Sequence, residues 1–110
     1  MLSTKIFIEE IEIRLEISKH AEERSNEREL TQYEIYSMIM KMGEQLLELK
    51  DGEEFAVVDR ELNNAVICSM NCRGIDLVVD IITVISNEHV WISRGTKVYK
   101  VSDINSFSTK

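Results

Sequence analysis

The most apolar run of the chain constrains its fold more than any other feature. It covers residues 75–85 and reads I-D-L-V-V-D-I-I-T-V-I, so most of its side chains are β-branched. Turn-forming residues flank it, with Gly74 before it and Ser86 and Asn87 after it. A run of this kind without a polar face is typical of a strand at the centre of a sheet, covered on both faces. The run therefore predicts a central strand over 77–85.

The N-terminal half reads as one strand followed by two helices. Residues 10–17 alternate apolar and charged side chains, which indicates a half-buried strand, whereas 5–8 fit either a strand or a short helix. Ser18 is a good N-cap residue for a first helix that ends near Glu29 or Leu30. Thr31 and Glu34 form a capping box, which predicts a second helix from 32 to about 49.

The C-terminal half consists of short β segments separated by turn residues. These segments cover 55–58, 65–70, 77–85, 90–93 and 97–101. The order of strand, two helices and several strands predicts an α+β fold, with two N-terminal helices packed on a curved antiparallel sheet of four to five strands. At 110 residues we expect a single domain over 1–110, with its core at about 10–101 and a polar tail at 102–110.

Charge and composition narrow the classes of function. The formal net charge of −7 argues against a broad electrostatic nucleic-acid binder, but it allows a local phosphate site or a basic partner protein. The sequence has neither an apolar run of 18 residues nor a signal-peptide pattern, so we expect a cytoplasmic protein without membrane contact. Cys68 and Cys72 lack the second ligand pair of a zinc site. We expect two reduced thiols, no metal and no other cofactor.

One cationic face stands out in the first helix. His20, Arg24 and Arg28 recur every four residues, a spacing that aligns side chains along one side of an α-helix. Most other charges of this stretch are acidic and fall on the remaining faces. A solvated helix with surface ion pairs produces much the same pattern, so the spacing leaves both interpretations open. We also expect at least one of the two arginines to be partly buried, because they flank the apolar Ala21 face.

The motif H-A-x-x-R-x-x-x-R resembles the barnase/colicin/RelE-like superfamily, in particular the BrnT-like domains and related small domains of unknown function. The matching residues are 18–24, Arg28, Thr31 with Glu34, and 81–85, and the resemblance covers roughly 10–101. The resemblance implies two helices on an antiparallel sheet and a metal-independent ribonuclease, often a toxin neutralised by an antitoxin protein. It places functional side chains at His20, Arg24, Arg28 and Thr83. The family usually has glycine after the second arginine, where this chain has Glu29.

Metal-free RNA cleavage needs a proton acceptor, a proton donor and groups that stabilise charge on the phosphate. Histidine transfers protons near neutral pH, and arginine binds phosphate oxygens through a fixed fork of donors. Thr83 is either one further hydroxyl donor or an ordinary strand residue. Lys19, Arg73 and Arg94 are the predicted substrate-binding cations.

Three hypotheses follow for function. The first is a small metal-independent endoribonuclease of toxin type, or a degenerate relative, acting on RNA. The alternative is a catalytically silent acidic module from a phage or mobile element that binds a host or defence protein. The third is assembly as a homodimer through an edge strand near Trp91. A nuclease needs a cationic cleft, so the first hypothesis is favoured if Arg73, Arg94 and Lys97 face the first helix. The second is favoured if they face away from it.

Overall fold

The computed structural model describes residues 2–59, 63–86 and 96–101. Its strands are β1 (Leu2–Ile8), β2 (Ile11–Ile17), β3 (Glu54–Asp59), β4 (Asn64–Arg73), β5 (Asp76–Ser86) and β6 (Lys97–Val101). Its helices are α1 (Lys19–Glu27), α2 (Gln32–Met40) and a 3₁₀ helix (Gly43–Glu48). The predicted α+β class is confirmed. The predicted segment 90–93, Trp91 and the tail at 102–110 lie outside the described residues.

The described strands form one mixed six-stranded sheet in the order β1-β2-β5-β4-β3-β6. The pairs β1–β2, β3–β4 and β4–β5 are antiparallel, whereas β2–β5 and β3–β6 are parallel. The sheet is therefore mixed and not purely antiparallel as predicted, and it has six strands where four to five were predicted. The ambiguous N-terminal stretch forms the additional edge strand β1. Alternating side chains identify which face of a strand is buried, but they do not identify its neighbour or the direction of that neighbour.

The predicted central position is confirmed for β5, which lies between β2 and β4. The expected burial on both faces is incomplete, because Ile82 is 37% exposed. Val79 and Ile81 are fully buried on the side that the helices cover. A β-bulge interrupts the pairing of β5 with β4, because the register passes from Ile67 opposite Thr83 to Cys68 opposite Ile81. Ile82 is the extra residue, and such bulges bend a strand and change the direction of its side chains.

Both predicted helix starts are confirmed. The hydroxyl of Ser18 accepts a hydrogen bond from the Ala21 amide at 3.0 Å. Thr31 and Glu34 form the reciprocal capping box, with distances of 3.0 and 2.9 Å. The second helix is shorter than predicted, because α2 ends at Met40 and Gly43 adopts a φ of +59°. This left-handed conformation, which glycine adopts readily, separates α2 from the 3₁₀ helix.

The core lies between the sheet and the helices. α1 buries Ala21 and Ser25, and α2 buries Ile35, Met38 and Ile39. The core begins before residue 10, because the side chains of Ile6 and Ile8 in β1 also belong to it. Cys68 and Cys72 are free thiols, and burial raises the pKa of the Cys68 thiol. Among the described residues, no helix has the length and apolar character that a membrane crossing requires.

Candidate functional site

The site begins where α1 leaves the sheet. β2 pairs with β5 as far as Ile17 opposite Ile81, and the chain then turns into α1. The Ser18 amide donates to the Ile81 carbonyl oxygen at 3.2 Å, and the Ser18 hydroxyl donates to the Ile82 carbonyl oxygen at 3.1 Å. β5 continues to Ser86, and in the described part of the chain this last segment pairs with β4 alone. α1 packs against β5, so the helix lies next to the side of β5 that β2 has left.

A cavity of about 320 Å³ lies between α1 and this part of β5. We call it the α1–β5 cavity. Its lining consists of His20, Arg24, Glu27 and Arg28 from the helix and Thr83, Val84 and Ile85 from the strand. All four residues predicted as catalytic therefore line one cavity. The helical spacing aligns the three cationic residues, and the packing of α1 on β5 brings them to Thr83.

The two arginines differ in their surroundings. The Arg24 side chain is 51% exposed, and its Nη1 lies 3.2 Å from Glu27 Oε1. Arg28 is half-buried, which confirms the expectation that at least one arginine is partly buried. Arg28 Nε is fully buried and has no hydrogen-bond partner among the described residues. An unsatisfied buried donor costs about 1–3 kcal/mol. Because Nε has almost no accessible surface, it belongs to the packed wall of the cavity and not to the surface that a ligand contacts.

Glu27 is a further candidate residue, and the expectation that the acidic residues of this stretch fall on the other faces of the helix is wrong for it. It is three residues after Arg24 and seven after His20, so it lies on the same side of α1. From the sequence, Glu27 was expected only to take part in surface ion pairs of the helix. In the cavity, Glu27 adds a carboxylate that can accept a proton to a set that already holds an imidazole, two guanidiniums and a hydroxyl.

The predicted substrate-binding cations do not line the α1–β5 cavity in the described part of the chain. Lys19 is exposed at the start of α1. Arg73 lies near the opposite end of β5, with its guanidinium 3.6 Å from Glu16 Oε1 and 3.3 Å from Asp80 Oδ2. Arg94 lies outside the described residues.

Lys97 also lies away from this cavity. Its Nζ is 3.0 Å from Glu53 Oε2, an ion pair that raises the pKa of Lys97. The pKa of Glu53 is lowered, first by the hydrogen bond from the Lys50 amide and then by Lys97. The late-strand cations that the structure describes therefore do not extend the α1–β5 cavity into a wide cationic cleft.

A second cavity, of about 370 Å³, adjoins His20. Its lining includes the carboxylates of Glu16 and Asp80 together with the apolar side chains of Ile81 and Ile82. Asp80 accepts hydrogen bonds from Asn71 and Arg73, and Arg73 also contacts Glu16. His20 thus lies between the α1–β5 cavity and a mostly apolar cavity whose two carboxylates are paired with Arg73. The two carboxylates disfavour a phosphate in the second cavity and leave the α1–β5 cavity as the candidate anion site.

Among residues 2–59, 63–86 and 96–101, no group of three or more potential ligand side chains is placed to hold a metal ion. Comparison of the chain with protein families, with curated proteins and with solved structures gave no match in any of the three. The functional assignment therefore depends on the α1–β5 cavity and on the sequence motif that lines it.

Proposed function

We propose that the α1–β5 cavity binds a phosphodiester of single-stranded RNA and that the protein cleaves this bond without a metal ion. The observation that carries the proposal is that one cavity brings together the side chains of His20, Arg24, Glu27, Arg28 and Thr83. A phosphate oxygen is the acceptor that matches a guanidinium best. The resemblance of the α1 motif to metal-independent ribonucleases gives independent support.

Each side chain of the cavity has a role in this reaction. Arg28 and Arg24 donate to the non-bridging oxygens and stabilise the charge that grows on them, with Arg24 exchanging Glu27 for the phosphate. Glu27, released from Arg24, accepts the 2′-hydroxyl proton, and the 2′ oxygen attacks phosphorus. The bond from phosphorus to the 5′ oxygen breaks, and His20 donates a proton to that oxygen. The products are a 2′,3′-cyclic phosphate and a free 5′-hydroxyl, and the Thr83 hydroxyl adds one hydrogen bond to the phosphate.

The charges of the molecule limit the kind of RNA that enters. The chain has a net charge of −7, so its overall field opposes the approach of a long duplex. A flexible single strand can place one phosphate in a local cationic site while its remaining phosphates stay in solvent. We therefore expect the substrate to be single-stranded and binding to weaken as salt increases.

The test is cleavage of an end-labelled single-stranded RNA by purified protein in EDTA. We expect His20→Ala, Glu27→Gln and Arg28→Gln each to lower the rate by about 10²–10³. The matched control is Arg14→Gln, which removes an arginine that does not line the cavity. The control should cleave at the wild-type rate. Equal background cleavage by the wild type and every variant would overturn the proposal.

A second candidate function is a catalytically silent module that binds a protein partner, either an antitoxin or a host factor. The observation in its favour is that Arg73 and Lys97 are held by carboxylates away from the α1–β5 cavity, so the surface has no wide cationic cleft among the described residues. This candidate predicts no RNA cleavage and tight binding of a basic protein. A pull-down with the wild type, and with Arg24→Glu and Arg28→Glu, would distinguish binding through the cavity from binding elsewhere.

A further inference from the structure

A separate groove of about 510 Å³ lies between β1 and α2. We call it the tyrosine groove, because Tyr33 and Tyr36 from α2 line it together with Met40. Tyr33 is 80% exposed and Met40 is 48% exposed, whereas Tyr36 is half-buried. Large side chains of this kind, clustered on one exposed flank of a helix, are typical of a binding surface.

The charge of this groove is unusual for the protein. The chain has 20 Asp and Glu residues, yet in the described part of the chain none of them lines the groove, whereas Lys5 and Lys41 do. Glu34, the neighbour of Tyr33, turns back to cap its own helix. Lys5 and Lys41 are paired with Glu12 at 3.7 Å and Asp59 at 3.8 Å, two carboxylates that do not line the groove. Because no described carboxylate lines it, the groove opposes a polyanion less than the cavity that Glu16 and Asp80 line beside His20.

The groove is also close to the α1–β5 cavity along the chain. Arg28 lines the cavity and Tyr33 lines the groove, five residues later. Five residues span at most about 18 Å even when fully extended. A strand of a few nucleotides is long enough to reach from one to the other.

We propose that the tyrosine groove is a base-stacking platform for the nucleotides that flank the phosphate in the α1–β5 cavity. This inference rests on the proposed function and extends it to the way the strand is held. Aromatic rings stack on any nucleobase, because every base has a π-face, so the platform adds affinity without strong sequence preference. Tyr36 forms the fixed part of the surface, and exposed Tyr33 stacks on the next base. Lys5, whose side chain is 58% exposed, contributes positive charge near the intervening phosphates.

The experiment compares two 2′-O-methyl oligoribonucleotides, which resist this cleavage. A dinucleotide carries one phosphodiester and reports on the α1–β5 cavity, by NMR titration. An octanucleotide also reaches the groove, and its affinity is measured by fluorescence anisotropy. We expect Tyr33→Ala to weaken octanucleotide binding about tenfold and to leave dinucleotide binding within about twofold. Tyr33→Trp should restore or exceed wild-type affinity, because indole also stacks.

The matched control is Phe7→Ala, which removes an aromatic ring that is 61% exposed but does not line the groove. It should bind both ligands like the wild type. If Arg28→Gln weakens octanucleotide binding and Tyr33→Ala does not, the platform is overturned and the proposed function stands. Failure of the wild type to bind either ligand would overturn both. A change in self-association with Tyr33→Ala, at unchanged octanucleotide affinity, would identify the groove as a protein interface and overturn the platform.

Discussion

At the scale of single residues, Glu29 occupies a left-handed backbone position directly after Arg28. α1 ends in a Schellman motif, in which the Leu30 amide donates to the Ser25 carbonyl oxygen at 2.9 Å and the Glu29 amide donates to the Asn26 carbonyl oxygen at 3.1 Å. Glu29 occupies the left-handed position of this motif with a φ of +57°. Glycine is favoured there because a Cβ atom strains the left-handed conformation. This chain has Glu29 at that position and therefore accepts backbone strain there.

Replacement of Glu29 by glycine should therefore stabilise the protein. We expect Glu29→Gly to raise the free energy of unfolding by about 1 kcal/mol, measured from the midpoint of urea denaturation. Glu29→Ala is the control, since it removes the carboxylate but keeps the Cβ atom, and its midpoint should stay close to the wild-type value. An equal gain from both variants would attribute the effect to charge and not to backbone strain.

At the scale of elements, one hydroxyl joins α1 to β5. The Ser18 hydroxyl accepts from the Ala21 amide and donates to the Ile82 carbonyl oxygen, so it caps the helix and also holds the bulged residue of the strand. The α1–β5 cavity has one wall from each of these elements. The shape of the cavity consequently depends on this contact as well as on the residues that line it.

Removal of this hydroxyl should affect stability in two separable parts. We expect Ser18→Ala to lower the free energy of unfolding by about 1–2 kcal/mol, through the lost cap and the lost bond to Ile82. Ser18→Asp keeps an acceptor for the helix cap but, when ionised, has no proton to donate to Ile82. Its urea midpoint should fall between those of Ser18→Ala and the wild type. A wild-type midpoint for Ser18→Asp would show that the contact with the bulge contributes nothing.

At the scale of the whole molecule, the fold brings remote carboxylates together. The β1–β2 turn places Glu9 next to Glu44 of the 3₁₀ helix, and the shared hydrogen bond and like charge raise the pKa of Glu9. Glu9 and Glu10 also have φ angles of +49° and +70°, which a two-residue hairpin turn imposes. A carboxyl whose pKa is higher in the folded state than in the unfolded state destabilises the fold once it ionises. Stability from this pair is therefore lost as pH rises through the range above the ordinary glutamate pKa.

Neutralisation of Glu9 should show this pH dependence directly. We expect Glu9→Gln to have a higher melting temperature than the wild type at pH 7, and the difference should shrink towards zero below about pH 4, where Glu9 is protonated in both states. Glu54→Gln, at an exposed glutamate of β3, is the control for a change in net charge. A difference that is the same at both pH values, or equal in the control, would contradict a specific effect of the Glu9–Glu44 pair.

The sequence by itself determined the features that depend on near neighbours in the chain. Residue types and their spacing predicted the caps at Ser18 and Thr31 and the alignment of His20, Arg24 and Arg28. The apolar run with its flanking turn residues predicted the central strand β5. Helix caps involve groups three residues apart, and side-chain alignment follows from 3.6 residues per turn, so the local pattern suffices. For the same reason, the family-like motif in α1 was visible without a structure.

Only the tertiary structure decided which distant elements meet. Three features depend on long-range burial, which no local pattern encodes. They are the parallel pairing of β2 with β5, the additional strand β1 and the packing of α1 beside the bulge at Ile82. The position of Thr83 in the cavity, expected only from the resemblance, and the contribution of Glu27 follow from that packing. The sequence therefore predicted the cationic residues on the α1 wall of the cavity, whereas only the tertiary structure placed the β5 wall opposite them.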